Sequence, residues 1–71
     1  MTYEELSNKP IGYLFSFSGN VWSIHQITSE WIQCNLVTGA WPWGKWLTLR
    51  RDSTIIKRVR ELSGEQKIEL L

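Results

Sequence analysis

The sequence predicts a mainly β fold of the small α+β kind: a compact antiparallel barrel of four to five short strands with short terminal helices. Three observations predict it. The chain has 71 residues, enough for a single domain over residues 1–71. Apolar residues alternate with polar or small ones in several short runs rich in β-branched and aromatic side chains. The five glycines are dispersed between those runs, where turns are expected.

The amino-terminal part of the chain predicts a short helix followed by a strand. Thr2 stands before two acidic residues, a helix-start signal, and Pro10 ends the predicted helix, which covers residues 2–8. From residue 11 the pattern changes to a period of two, and a Ser-Gly-Asn turn closes the run. The apolar residues on one face of this first predicted strand are Ile11, Tyr13, Phe15 and Phe17.

Two further runs, residues 21–28 and 31–37, are separated by a Ser-Glu pair and predict a β-hairpin. With that pair at the centre of the turn, His25 faces Cys34 across the hairpin. Ser-Glu is not a favoured sequence for a two-residue turn, so a shift of register stays open. The other predicted pairs are Ile27 with Ile32 and Ser23 with Leu36 on that face, and Trp22 with Val37 and Ile24 with Asn35 on the opposite face.

A turn and a fourth strand are predicted next. In residues 41–44, Trp-Pro-Trp-Gly, proline stands second and glycine fourth, which is typical of a type I turn. Residues 45–50 then alternate as a strand with one apolar face. The residues expected to point inward are Leu47 and Leu49, and those expected to point outward are Trp46, Thr48 and Arg50.

Residues 54–62 are compatible with either a strand or a helix. Their β-branched residues favour a fifth strand, which would also cover the edge that a four-stranded meander leaves open. A helix is the alternative, because Asp52 or Ser53 could cap it and Gly64 could end it. We expect a strand here. The apolar residues that would share one helical face are Ile55, Ile56, Val59 and Leu62.

The end of the chain predicts a second short helix. Ser63 and Gln66 have capping-box spacing, and Ile68 and Leu71 give this helix one apolar face. The complete layout, five short strands with terminal helices, is similar in architecture to SH3-like or Sm-like small barrels. The sequence carries no motif that is specific to one family.

The composition predicts a protein of the cytoplasm that does not bind membranes. Acidic residues stand where a secretory signal would carry basic ones. The longest apolar stretch, residues 11–17, is much shorter than the roughly 20 residues that a membrane helix needs. Cys34 is the single cysteine, so the chain has no intrachain disulfide and fits a reducing compartment.

Residue types for catalysis are scarce, and we expect a protein that is not an enzyme. One histidine and one cysteine are too few for a zinc site, which needs three or four ligands, so no metal or cofactor is predicted. His25 opposite Cys34 could activate a thiolate, because a neighbouring imidazolium lowers a thiol pKa. We expect instead that both side chains fill the interior, where a free cysteine behaves as a small hydrophobe. No glycine-rich phosphate loop or small-molecule site is evident.

Charge is unevenly distributed along the chain, although the formal net charge is only +1. Residues 1–44 and 61–71 each carry a net charge of −2, whereas residues 45–60 carry +5. This basic segment directly follows Trp41 and Trp43 and contains Trp46, so aromatic and cationic side chains are expected to share a surface. Its cationic residues are Lys45, Arg50, Arg51, Lys57, Arg58 and Arg60.

Five tryptophans in so short a chain have two possible uses. We expect Trp22 and Trp31 to supply packing that a chain without disulfides needs. A turn anchored by proline projects from the body of a protein, so Trp41 and Trp43 are expected at the surface, where an exposed pair needs a covering partner. The sequence therefore predicts a non-enzymatic module that binds and modulates another protein, or joins its assembly, or pairs with a second copy of itself.

The predicted partner-binding surface lies within residues 41–60. Trp and Arg are among the residue types enriched at binding hot spots. The residues expected to carry binding are Trp41, Trp43, Lys45, Trp46, Arg50, Arg51, Arg58 and Arg60.

Nucleic acid is the alternative partner for the same surface. Trp43 and Trp46 could stack on single-stranded bases while the cations of the basic segment contact phosphates. Such binding would weaken steeply with salt, which distinguishes it from a protein interface.

Overall fold

The computed structural model of the chain describes residues 1–70, and its centre is a four-stranded antiparallel sheet in the order β1-β2-β3-β4. Consecutive strands are neighbours, so the sheet is a meander. The mainly β fold class is thus confirmed. The elements are α1 (Tyr3–Ser7), β1 (Leu14–Phe17), β2 (Asn20–Ile27), β3 (Trp31–Thr38), β4 (Trp46–Arg50), a 3₁₀ helix (Thr54–Arg58) and α2 (Gly64–Glu69).

Side-chain caps define where the two α-helices begin, as the sequence predicts. The Thr2 hydroxyl accepts a hydrogen bond from the Glu5 backbone N–H, and the Glu5 carboxylate accepts one from the Thr2 N–H, each at 3.1 Å. Ser63 and Gln66 form the same reciprocal pair at the start of α2, at 3.1 and 3.0 Å. Each capping box satisfies two backbone donors that the first helical turn leaves free.

Two apolar side chains that the pattern places on buried faces lie at the surface instead. Ile11 is 61% exposed because β1 begins only at Leu14, and Gly12 bends the chain before it with a φ of +90°. Ile68 of α2 is 70% exposed, and no residue of α2 is buried. Leu71, the other predicted member of that apolar face, lies outside the described residues.

One face of the sheet carries the hydrophobic core. In β4, Leu47 and Leu49 are buried and the alternate residues are exposed, as predicted. At the centre, Trp22 is fully buried and its Nε1–H donates to the Phe17 carbonyl at 3.1 Å. The buried residues of the core cluster are Tyr3, Leu6, Phe15, Phe17, Trp22, Ile24, Ile32, Cys34, Leu47, Leu49, Ile56 and Val59.

The β2–β3 hairpin has the predicted turn but a different register beyond it. Ile27 pairs with Ile32 as expected, and then His25 bulges out of the ladder, so the pair predicted between His25 and Cys34 is wrong. A bulge sets two residues of one strand opposite one of the other, which shifts the pairs that follow it. A second irregularity, between Val21 and Trp22, returns Val21 to the predicted register opposite Thr38. The pairs that replace the predicted ones are Ile24 with Cys34, Ser23 with Asn35 and Trp22 with Leu36.

The fifth strand expected over residues 54–62 is not formed. A 3₁₀ helix covers Thr54–Arg58, and the Ser53 hydroxyl caps it by accepting from the backbone N–H two residues later, at 3.3 Å. Ile56 and Val59 are both buried in the core. In a strand these two residues, three apart, would point to opposite faces, whereas a helical turn directs both to one side. The requirement to bury both favours the turn.

Between the 3₁₀ helix and residue 70, one residue pairs as a strand. Arg60 exchanges two backbone hydrogen bonds with Ser16 of β1, at 2.8 and 2.9 Å. The sheet is therefore extended beyond β1 at a single point. On its other side, β4 pairs with β3 alone within residues 1–70, and the sheet is not closed.

Helix α1 is held against the hairpin by Tyr3. Its hydroxyl donates to the Thr28 carbonyl at 2.6 Å, and burial raises the pKa of Tyr3 above its ordinary value. The Arg51 guanidinium lies 5.5 Å from the centre of the Tyr3 ring and 3.6 Å from the Glu4 carboxylate. These contacts connect the beginning of the chain to the turn after β4.

We predict that Tyr3→Phe lowers the free energy of unfolding by about 1 kcal/mol, because the substitution removes a donor from the Thr28 carbonyl. Urea denaturation followed by tryptophan fluorescence measures the change. Tyr13→Phe is the matched control, since Tyr13 is only half-buried, and it is expected to cost less than half as much. An equal loss in the two variants would contradict the assigned role of the Tyr3 hydroxyl.

Candidate functional site

Three tryptophans form a continuous chain of aromatic contacts from the core to the surface. The buried Trp22 ring meets Trp41 edge-on with centroids 5.4 Å apart, and Trp41 meets Trp43 at 5.3 Å. Phe17 also contacts Trp41, at 5.8 Å. Trp41 is half-buried, which differs from the expected exposure, whereas Trp43 is 77% exposed as expected. Edge-to-face contacts of this kind add about 0.5–1.5 kcal/mol to the burial of each ring.

The loop that carries Trp41 and Trp43 is fixed to β2. The Asn20 side-chain amide donates to the Ala40 carbonyl at 2.8 Å. Gly39 has a φ of +105°, and a Cβ there would collide with the Asn20 side chain. The Gly44 backbone N–H donates to the Trp41 carbonyl at 3.3 Å, which closes the predicted turn. The two aromatic rings are thus attached to a constrained loop.

Trp46 lies on the outer face of the sheet, away from that loop's contacts with the core. It is 51% exposed, and the His25 ring meets it edge-on at 5.0 Å. Successive pairing of Ser23 with Asn35 and of Asn35 with Trp46 places these residues in one row on this face. The outer face therefore presents one large aromatic side chain surrounded by polar neighbours.

The six cations of the basic segment are all exposed, but they are not gathered at one point. Lys45 precedes β4 and Arg50 is its last residue. Five extended residues separate their Cα atoms by about 16 Å. Arg51 turns toward α1, where Glu4 and Tyr3 hold it, and its guanidinium also donates to the Ser29 carbonyl at 3.2 Å. The remaining cations lie in or after the 3₁₀ helix and are Lys57, Arg58 and Arg60.

The predicted binding residues therefore fall into separate groups. Trp41 and Trp43 form one group with the core tryptophan, and Trp46 shares the outward face of β4 with Arg50. Arg58 and Arg60 lie beyond the 3₁₀ turn, and the Arg60 guanidinium donates to the Lys57 carbonyl.

Cys34 and His25 lie on opposite faces of the sheet. Cys34 is fully buried, and burial raises the pKa of its thiol from 9.0 to about 12. His25 is exposed and contacts Trp46. The bulge separates the two side chains, so the nucleophile hypothesis for this pair is wrong. Within residues 1–70, no cluster of three or more potential metal-ligating side chains is present.

Concave surfaces are found away from the tryptophans. One open cavity of about 290 Å³ is lined by residues of β1, its preceding turn and the region of α2, namely Lys9, Tyr13, Leu14, Glu61, Leu62 and Lys67. A smaller one of about 210 Å³ lies between Met1, Glu5, Val59, Arg60 and Glu61. Among the helices of the described chain, none has the length and apolar character needed to cross a bilayer.

Comparisons with family models, with curated proteins and with solved structures gave no match to this chain.

Sequence reasoning missed two residues that shape this region. Asn20 reads only as part of a turn, yet its side chain holds the loop of Trp41. Alternation along an unbroken strand predicts that His25 points inward. The bulge in β2 places it beside Trp46 instead. An asparagine next to a Gly turn is a recognisable anchoring signal; the bulge has no comparable signal in the residues around it.

We predict that the Cys34 thiol makes the fold less stable at alkaline pH. The folded pKa is raised, so its contribution is fully present below pH 9 and is lost as the pH rises toward about 12. The free energy of unfolding should fall by at most about 1.4 kcal/mol per pH unit from this group. Urea denaturation between pH 8 and pH 11 measures the slope as a difference from Cys34→Ala. Parallel slopes would contradict the burial of an ionisable thiol.

We also predict that Gly39→Ala and Gly44→Ala differ in cost. Both positions have a φ near +100°, so each alanine should cost about 1 kcal/mol or more in backbone strain. Only Gly39→Ala also displaces the Asn20 side chain. Gly39→Ala should therefore lose more stability in urea and shift tryptophan emission to the red, as Trp41 leaves its contacts. Equal stability and equal spectra would contradict the anchoring role of Asn20.

Proposed function

We propose that the chain is a non-enzymatic interaction module that binds another protein and modulates it, or serves as its accessory subunit. The proposed surface is rich in Trp and Arg and lies within residues 41–60. The observation that carries this proposal is the exposure of Trp43, 77%, on a loop whose neighbouring ring reaches the core through Trp22.

The arrangement of the loop favours a role for Trp43 in binding a partner. Covering about 200 Å² of an indole contributes on the order of 5 kcal/mol before the costs of association. Those costs are smaller where a side chain is already restrained. Trp43 rests edge-on against Trp41, and Pro42 stands between them. A rigid, exposed aromatic anchor of this kind is typical of a binding hot spot.

The exposed cations suit a partner with acidic residues. Within residues 1–70, Arg51 is the one basic residue that forms an ion pair, with Glu4. The other five cations of the basic segment can meet carboxylates of a partner, which raises the association rate and favours one docking orientation. Lys45 and Arg50 adjoin the exposed Trp46.

For the architecture, we propose a small barrel of the SH3-like or Sm-like layout. The meander of four strands, the 3₁₀ turn after β4 and the pairing of Arg60 with Ser16 support it, since a fifth strand at Arg60 would continue the sheet around the core. For the compartment, we propose the cytoplasm, because the single Cys34 is buried as a free thiol.

Binding of single-stranded nucleic acid is the second candidate function. Trp43 and Trp46 both expose ring surface on which bases could stack. Five exposed cations without an ion-pair partner among the described residues could contact phosphates. Their spread over β4 and the 3₁₀ region favours the protein partner, because phosphates of one strand need a continuous basic path.

We predict that Trp43→Ala reduces recovery of the protein partner from native lysate at least tenfold, with nuclease present, because the aromatic anchor is lost. Affinity capture with the tagged full chain, quantified by mass spectrometry, measures it. Ile68→Ala is the matched control: it also truncates a large exposed apolar side chain, 70% exposed, but on α2. The control should recover the partner as well as the unsubstituted chain does.

Two outcomes would count against this proposal. Equal recovery by Trp43→Ala and by the unsubstituted chain would remove Trp43 from the surface. Loss of all recovery on nuclease treatment would favour nucleic acid; titration with a single-stranded oligonucleotide would then show affinity falling steeply as salt rises, in proportion to the phosphates contacted.

A further inference from the structure

Strand β4 leaves one edge of the sheet open. The Leu36 backbone N–H donates to the Lys45 carbonyl, and the Arg51 N–H donates to the Glu30 carbonyl. These two bonds show which residue pairs of the β3–β4 ladder are hydrogen-bonded and which are not. Because antiparallel pairs alternate between bonded and non-bonded residues, the residues of β4 that bond to β3 are Leu47 and Leu49. The backbone groups of Trp46, Thr48 and Arg50 therefore point to the opposite side.

These outward backbone groups are free within residues 1–70, with one exception. The Arg50 carbonyl accepts from the Ser53 N–H at 3.1 Å, whereas the N–H groups of Trp46, Thr48 and Arg50 have no partner there. All three residues are exposed. An edge of this kind is a template for one more strand.

We propose that this edge binds an extended, acidic segment of a partner protein, which adds a strand antiparallel to β4. The proposal rests on the proposed function, for which it supplies the mode of binding and the chemistry of the partner. Every second residue of the added strand would form backbone hydrogen bonds with Trp46, Thr48 or Arg50. Carboxylates near the ends of the segment would meet Lys45 and Arg50.

Charge is the reason to choose an acidic segment over a second copy of this chain. Basic residues flank β4 at both ends: Lys45 before it, and Arg50 with Arg51 at and after its end. In an antiparallel pair of two β4 strands, the lysine end of one copy lies beside the arginine end of the other. Like charges directly opposite each other destabilise a strand pair. A segment carrying glutamate or aspartate at the same places is stabilised instead.

Trp46 would also select the side chains of the added strand, beyond the backbone hydrogen bonds. Its ring is 51% exposed on the outer face and rests against His25. Cross-strand neighbours on one face approach to about 5 Å, so an apolar or aromatic residue of the added strand would pack on the indole. The expected segment is therefore extended, with apolar residues in its middle, one of them opposite Trp46, and acidic residues toward both ends.

Titration of the ¹⁵N-labelled full chain with the capped seven-residue peptide Glu-Glu-Val-Val-Val-Glu-Glu, called the Glu-Val peptide, tests the proposal. We expect the largest amide shifts at Trp46, Thr48 and Arg50, with slower hydrogen exchange at Thr48. A peptide with Lys in place of Glu should bind at least about tenfold more weakly, because its cations oppose those beside β4.

A pair of substitutions at one residue isolates the backbone. Thr48→Pro removes an N–H that takes no part in the β3–β4 ladder, and proline is tolerated on an edge strand. It should abolish peptide binding while circular dichroism shows a folded sheet. Thr48→Ala keeps the N–H and should bind as the unsubstituted chain does. A Glu-Val peptide with N-methylated valines removes donors from the other side and tests the same bonds without altering the protein.

The outcomes separate this proposal from the proposed function. Peptide binding by the unsubstituted chain, together with equal partner capture by Trp43→Ala and the unsubstituted chain, would contradict the proposed function and leave strand addition supported. Equal binding by Thr48→Pro, equal binding of the Lys peptide, or shifts confined to residues outside β4 would overturn the strand-addition proposal. A dimer in sedimentation equilibrium that Thr48→Pro dissociates would assign the edge to a second copy and also overturn it.

Discussion

The buried indole of Trp22 connects the hydrophobic core to the loop that carries Trp41 and Trp43. It is fully buried, its N–H satisfies the Phe17 carbonyl within the β1–β2 turn region, and its edge meets Trp41. A small domain buries a modest share of its surface, so one large side chain contributes much of its core. The same ring also supports the loop that presents Trp43. Packing and the candidate binding surface are therefore physically continuous.

The bulge at His25 in β2 determines which side chains of β2 lie on each face of the sheet. The bulge at His25 lets Ile24 pair with Cys34, so the thiol is enclosed among apolar side chains. The imidazole is displaced to the outer face, where it contacts Trp46. A pair of residues that resembles a nucleophile and its base in the sequence thus becomes a core hydrophobe and a surface aromatic contact. The difference comes from register alone.

The charged residues show how a near-neutral chain can still present a basic surface. Glu4 on α1 approaches Arg51 across the fold and neutralises one cation of the basic segment. Lys45 and Arg50 have no ion-pair partner within residues 1–70, and they lie beside backbone groups of β4 that are unpaired within that range. A short basic edge resists pairing with a copy of itself, which is one way in which natural sheets limit aggregation. The same property leaves the edge available to an acidic strand.

Local elements of this protein could be predicted from the residues alone: the helix starts at Thr2 and Ser63, and the burial alternation of β4. These depend on interactions within a few residues. The bulge at His25, the helical turn at Thr54–Arg58 and the partial burial of Trp41 depend instead on long-range packing. Each is set by side chains far apart in the chain competing for one small core, and no local pattern records the outcome of that competition.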